Sequence, residues 1–384
     1  MLLCASESGE GVPHVLDGDK SPDSGRQTRV GLAGINRGTS EQVITQAVRA
    51  AAEAATDFSW LSKGDAGFIK PVNNSGKPYP STTSPIAVAA MIEILKQKGA
   101  GRVIVGDMSG IQYGKLSPEG LSGSSRHLME RSGIAAAVKA AGGEAHFFEE
   151  AGWNAFYEDQ PAPGSHWKRG LMMPNILKEV EHIILMPRCS SHVLAGNTLG
   201  MKAAVGYWRT DTRLEYHRDA ATLQEKTAEG NTVETLRRKQ RLVLSVANQI
   251  LTTFGPDDGY VYQPDTGVVM ASDSVVAHDM VSLAWLLENR RHIPPAEKGK
   301  FLNTSPFVVT VCNHWITYKL GGWQPALASE RLTRPDNNTI WDDRTLNRAY
   351  QIFGGVPRVT VDAANPALPE ELRKQLSEMT TYPA

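Results

Sequence analysis

The chain has 384 residues, 41% of them hydrophobic and 21% charged, which supplies material for a sizeable core and excludes disorder throughout. Lys and Arg number 40 against 41 Asp and Glu, a formal net charge of -1, which speaks against a dedicated nucleic-acid binder. The three cysteines, Cys4, Cys189 and Cys312, have no CxxC spacing. A disulfide framework, a four-cysteine zinc site and an iron–sulfur cluster are therefore not expected, and a cytoplasmic setting is.

The first 28 residues read as a flexible tail, because Asp17 to Arg29 is polar and turn-rich and the N-terminus lacks the basic-then-apolar order of a secretory signal. No run approaches the ~18 apolar residues of a membrane span, so no membrane partner is expected. Val30 to Ile35 reads as a strand, and the capping-box spacing Thr39-Ser-Glu-Gln42 opens a helix to about Ala55. Gly67 to Lys70 is a second strand, closed by Pro71. Ser84-Pro85 starts a helix that runs to Lys98, with Gly99 at its end, and Arg102 to Asp107 is a buried strand.

A helix over Ser125 to Ala141 precedes strands at Glu144 to Phe148 and His182 to Met186. Asn231 to Glu234 is expected to cap a long helix reaching about Thr253, ended by Gly255-Pro256. Val268 to Ala271 and Phe307 to Val311 read as strands around a helix from Ser274 to Asn289, and Pro369 to Met379 as a short amphipathic helix. The alternation predicts an α/β fold with largely parallel strands and helices on both faces, in two lobes. The N-terminal lobe would span 29–152 and the second 153–384, divided where AGWNAFYEDQPAPGSHWK interrupts the pattern.

Ligands in such sheets sit beyond the carboxyl ends of the strands, which directs attention to the residues that follow each one. Lys70, Asn73 and Asn74 offer a cation and two amides to an anionic ligand. Asp107 suits a metal, a ribose or a helix N-terminus. In MPRCSSHVLAGNTLGMKAAVG (186–206), Gly196, Gly200 and Gly206 permit close backbone approach around His192, Asn197, Thr198 and Lys202. That segment reads equally as a ligand loop or as a plain Gly-rich turn into a helix. Asp273 is expected to cap the next helix, with His278 or Asp279 facing the cleft. Cys312 and His314 read as structural, the run Arg237 to Arg241 as a solvated helix face, and the tryptophans as core or as pocket wall.

KGDAGFIKPVNN (63–74), TTSPIAVAAMIEILKQKGAGRVIVGD (82–107), SHVLAGNTLGMKAAVG (191–206) and ASDSVVAHD (271–279) together resemble domain-of-unknown-function family 362, in the expected order. Many members carry ferredoxin-like cysteine runs, which this chain lacks. The segment from His192 to His217 is also similar to the core of nickel-pincer lactate racemases. That resemblance implies Lys202 as the covalent anchor of a pincer-type cofactor, His217 as a metal ligand and His192 as the acid/base. Three departures argue against lactate racemase activity itself. His217 is one residue nearer Lys202, Ser81 to Pro85 lacks the acidic and arginine residues, and Asp107 to Ile111 lacks a second histidine.

The expectation is therefore an enzyme that acts on a small organic anion by proton or hydride transfer, with a pincer-type cofactor or a divalent metal. The alternatives are a non-catalytic metal- or metabolite-binding module and a metal-assisted hydrolase using His192 or His217 with Asp279.

Overall fold

The computed structural model describes residues 22–298, 305–333 and 337–383. Most of the expected tail, residues 1–21, lies outside the described residues. Residues 22–28 do not form a tail: they begin the strand Pro22–Asn36, whose Gln27 and Thr28 pair with Arg358 and Val359. Polar composition hides such a strand because its ladder is made by backbone groups.

One sheet of eight strands runs in the order Val356–Ala363, Pro22–Asn36, Thr266–Ser272, Gln240–Ala247, His182–Met186, Ala66–Pro71, Arg102–Asp107, Glu144–Phe147. Only Thr266–Ser272 runs against the others, so the sheet is mixed but mostly parallel, as the alternation requires. Strands from either side of residue 152 pair directly, Ala66–Pro71 with His182–Met186, and the sheet is shared across that position.

Alternate residues of each strand enter opposite layers, as the pleat dictates. Ile69, Val105, Ile184 and Leu244 pack under the helices Glu41–Ala55 and Pro85–Gln97. On the other face Leu185, Val243 and Met270 meet the helix Val275–Arg290, while Phe68, Ile104 and Ile183 join an aromatic cluster around Tyr207 and Trp208. Among the described residues no helix is long and apolar enough to cross a membrane.

Three elements differ from the sequence expectation. The long helix over 231–253 is instead a short helix, Glu234–Lys239, followed by the strand Gln240–Ala247 in the middle of the sheet. Leu242 to Ala247 is buried on both faces, so it shows no period-two alternation, and position in the sheet overrides the capping signal. Phe307–Val311 is not a strand but the start of the helix Pro306–Gly321. Its buried Val309, Asn313, Thr317 and Leu320 recur at helical spacing, a stripe that outweighs the β-branched composition of the first turn. The helix expected over 125–141 is two, Ser125–Arg131 and Ile134–Ala140, separated by Gly133 at φ 86°.

Candidate functional site

The carboxyl ends of three neighbouring strands, Ala66–Pro71, Arg102–Asp107 and His182–Met186, meet below a cavity of about 520 Å³. Its floor is built first by Lys70 and Asp107, which are 0% and 2% exposed and 2.8 Å apart. Lys70 Nζ also donates to the carbonyls of Pro71 (2.7 Å) and Ala203 (3.1 Å), so all three of its N–H groups are engaged. Burial pulls the Lys70 pKa down, and Asp107 opposes that shift. Asp107 in turn accepts from the backbone N–H groups of Asn73 and Met108. The pair lines the cavity and ties the strand ends to the helix Gly200–Ala203.

Gly206 packs against this pair. A Cβ there would fall onto Asp107 Oδ1 and Lys70 Nζ. Gly206→Ala is therefore expected to split the pair and destabilise the protein by about 3–5 kcal/mol, the usual effect of breaking a buried ion pair. Urea denaturation of the variant checks this, and a change below 1 kcal/mol, roughly the scale of an ordinary surface substitution, would contradict it.

Two arginines add cations to that of Lys70. Arg213, 6% exposed, donates to the carbonyls of Ser109, Met108 and Gly206, and its Nε has no partner among the described residues. Arg188, 1% exposed, follows the strand His182–Met186 by two residues, and neither its Nε nor its Nη1 has a hydrogen-bond partner among the described residues. Burial pulls both guanidinium groups down to about 10, so they stay charged at neutral pH. The carboxylates that act on these groups are Asp107 and Glu149 for Arg213 and Asp257 for Arg188. Asp257 accepts a hydrogen bond from Asn74 Nδ2, and burial holds its pKa above the usual carboxylate range.

Lys202 sits on the four-residue helix Gly200–Ala203, with its ammonium 5.6 Å from the centre of the Tyr216 ring and no hydrogen-bond acceptor among the described residues. Burial, reinforced by Arg213, Arg188 and Lys70, pulls its pKa down to about 7. Asp279 fixes the helix by accepting from the N–H groups of Gly200 (2.7 Å) and Met201 (2.8 Å), and His278 contacts the same carboxylate while bonding Ser245.

His192 and His217 complete the wall. His192 Nδ1 accepts from the N–H groups of Leu194 (3.1 Å) and Ala195 (3.3 Å), which places the proton of the neutral ring on Nε2. His217 has the opposite tautomer. Asn313 Nδ2 donates to the His217 carbonyl, so its Oδ1 accepts from His217 Nδ1 at 2.9 Å and Nε2 keeps the lone pair. Burial, with Lys202 and Arg213 nearby, takes the His217 pKa down to about 3, and the ring is neutral at physiological pH.

Of the residues singled out in the sequence, the cavity brings together Lys70, Asn74, Asp107, His192, Thr198, Lys202, Gly206 and His217. The others lie elsewhere. Asn73 is fully buried and braces the loop by donating to the Ser125 carbonyl. Gly196, at φ 88°, pairs with His192 in the hairpin of Ser190–His192 and Gly196–Thr198, and Asn197 donates to Asp343. Gly200 makes room for Asp279. Asp273 is exposed on a separate cavity, and Ser274 rather than Asp273 caps Val275–Arg290. His278 and Asp279 both face inward, away from the cleft. A hydrolase using Asp279 on a water therefore lacks its carboxylate, which is held by two backbone N–H groups instead.

Arg188, Arg213, Asp257 and the apolar wall of the helix Pro306–Gly321 were not anticipated. The strand-end rule that marks Lys70 also marks Arg188, and Arg213 lies one helical turn before His217 on the same face. Cys312, read as structural, lines the cavity from that wall.

Fold and site together define a mostly parallel α/β protein with a cation-rich cavity at the carboxyl edge of its sheet. The chain belongs to the family described as a domain of unknown function (DUF362), whose model matches residues 68–284. No curated protein matches it. Among solved structures it is similar to the lactate racemase apoprotein from Thermoanaerobacterium thermosaccharolyticum, with 11% identity and a TM-score of 0.40 over 64% of this chain and 54% of that one. It is also similar to a protein from Thermotoga maritima, with 10% identity and a TM-score of 0.39 over 66% and 59%. The chain thus spans less than two thirds of the length of either neighbour.

Proposed function

We propose that this chain is an enzyme that binds a small organic anion in the cavity and moves a proton at the carbon next to its carboxylate. The observation that carries the reading is Arg188, a guanidinium 1% exposed with two N–H positions unmatched inside a cavity that also holds Arg213 and Lys202. A buried donor fork without acceptors is costly, and a ligand carboxylate matches it with two parallel hydrogen bonds. Lys202 then contributes an amine with a substantial neutral fraction at pH 7, able to accept a proton or to bond an electrophilic carbon. The neutral ring of His192 carries its proton on Nε2 and that of His217 keeps its Nε2 unprotonated, so the cavity holds one imidazole of each tautomer for proton transfer.

The residues present also fit a covalently held pincer-type cofactor, which Lys202 would anchor and to whose metal His217 Nε2 would offer a lone pair. Such a group, when bound, supplies a two-electron acceptor. Among the described residues no three His, Cys, Asp or Glu side chains cluster as a metal site.

The test is hydrogen exchange in D2O with protein purified from its native host, followed by NMR of a panel of 2-hydroxy and 2-oxo carboxylates. The expected result is deuterium at the carbon next to the carboxylate in at least one acid, lost in Lys202→Ala. Acids that bind but never exchange would overturn the enzymatic reading in favour of a binding module.

A further inference from the structure

We propose that the anion taken by this cavity is amphiphilic, with an oxyanion head on the arginine-bearing floor and an extended apolar tail along the helix Pro306–Gly321. The inference rests on the anion-binding reading above and specifies its substrate class. Exposure orders the cavity from bottom to top. Lys70, Asp107 and Arg188 are at most 2% exposed, whereas Val311 and Trp315, which line the same space, are 51% and 50% exposed and so form its mouth. Between these levels the helix contributes Cys312, Ile316 and Leu320, and no charged side chain of that helix lines the cavity. The spacing of these residues (311, 312, 315, 316 and 320) is that of one helical face, so the wall is a continuous apolar strip.

Volume points the same way. A three-carbon hydroxy acid has six heavy atoms, and even at roughly the 30 Å³ of a water molecule each they fill only about a third of 520 Å³. The remaining space borders Phe254, Trp315, Ile316 and Leu320, groups that offer water few hydrogen bonds and an alkyl or aryl chain close contact. A polar cofactor on the floor makes no use of that strip. Head and tail are thus recognised by different parts of one cavity: the unmatched fork of Arg188 takes the charge and the mouth helix takes the chain.

Calorimetric titration of the full chain with straight-chain carboxylates from butanoate to decanoate, below micelle-forming concentrations and at pH 7, tests the inference, with hexanol as the uncharged control for hexanoate. One ligand per chain is expected, with Kd falling about fourfold per added methylene, or roughly 200-fold from hexanoate to decanoate. Trp315→Asp, at a half-exposed position that tolerates the change, is expected to flatten that slope. An affinity constant within twofold across the series, or several ligands per chain, would overturn the amphiphilic class while leaving the anion site intact. Hexanol binding as tightly as hexanoate would overturn the anion site itself.

Discussion

Replacing Arg188 by methionine is expected to stabilise the free protein and to remove its affinity for organic acids. The side chain is long, 1% exposed and almost without hydrogen bonds, so the folded state holds a charge whose solvation it does not replace. Methionine fills much of the same volume without that charge. Exchanging buried ionic groups for apolar ones of similar size stabilises by about 1–4 kcal/mol in favourable cases. Asp257, the nearest carboxylate to Arg188 in its electrostatic effect, keeps its hydrogen bond from Asn74 and is already biased towards its neutral form by burial. Ligand binding moves in the opposite direction. Losing charge-assisted hydrogen bonds, each about 1.5–3 kcal/mol, weakens an acid at least tenfold to a hundredfold. Thermal denaturation and titration of one variant read both effects, and a destabilised Arg188→Met that still binds acids would refute the assignment. A gain in stability with a loss of binding is the signature of a functional group kept at structural cost.

Lys202 is expected to behave as a near-neutral amine. Pulse acetylation followed by peptide mapping should show its reactivity rising through pH 7, whereas ordinary lysines rise through about 10.4. At pH 7 the neutral fraction is then about a thousandfold larger than for an exposed lysine. The same shift sets a pH dependence of stability. The unfolded chain binds more protons than the folded one between about pH 7 and 10.5, so stability rises with pH across that window, and the destabilising contribution of Lys202 is complete below it. Lys202→Met should therefore exceed the wild type in stability most at and below pH 7, with the difference shrinking toward pH 10. A difference independent of pH would show that the amine is charged and solvated in the folded state.

How far the molecule could be read from its sequence depended on which signal each residue carried. Strand ends were legible: an apolar run closing on a polar residue marked Lys70 and Asp107, both of which line the cavity. The glycine-punctuated segment placed His192 and Lys202 there as well, although its glycines serve separate tasks, a hairpin at Gly196, room for a cap at Gly200 and close packing at Gly206. Asp279 lies close to the site in effect but not in contact, because a carboxylate at a helix start and one at a ligand have the same local sequence. Arg188 stands between Pro187 and Cys189, in a stretch dominated by its histidine and glycines, and only its lack of partners in three dimensions marks it. Asp257 follows Gly255-Pro256, which reads simply as a break. The helix Pro306–Gly321 is concealed by β-branched residues whose preference yields to packing.

A ligand's negative charge completes this cavity and is felt at once by Lys202. Calorimetric titration of an organic acid at pH 8, repeated in buffers of different ionisation enthalpy, measures protons taken up on binding. With the Lys202 pKa at about 7 the free protein is mostly neutral there, and an anion beside the amine raises that value. Uptake approaching one proton per acid bound is expected, abolished in Lys202→Met. Binding with no proton uptake, or with release, would contradict it.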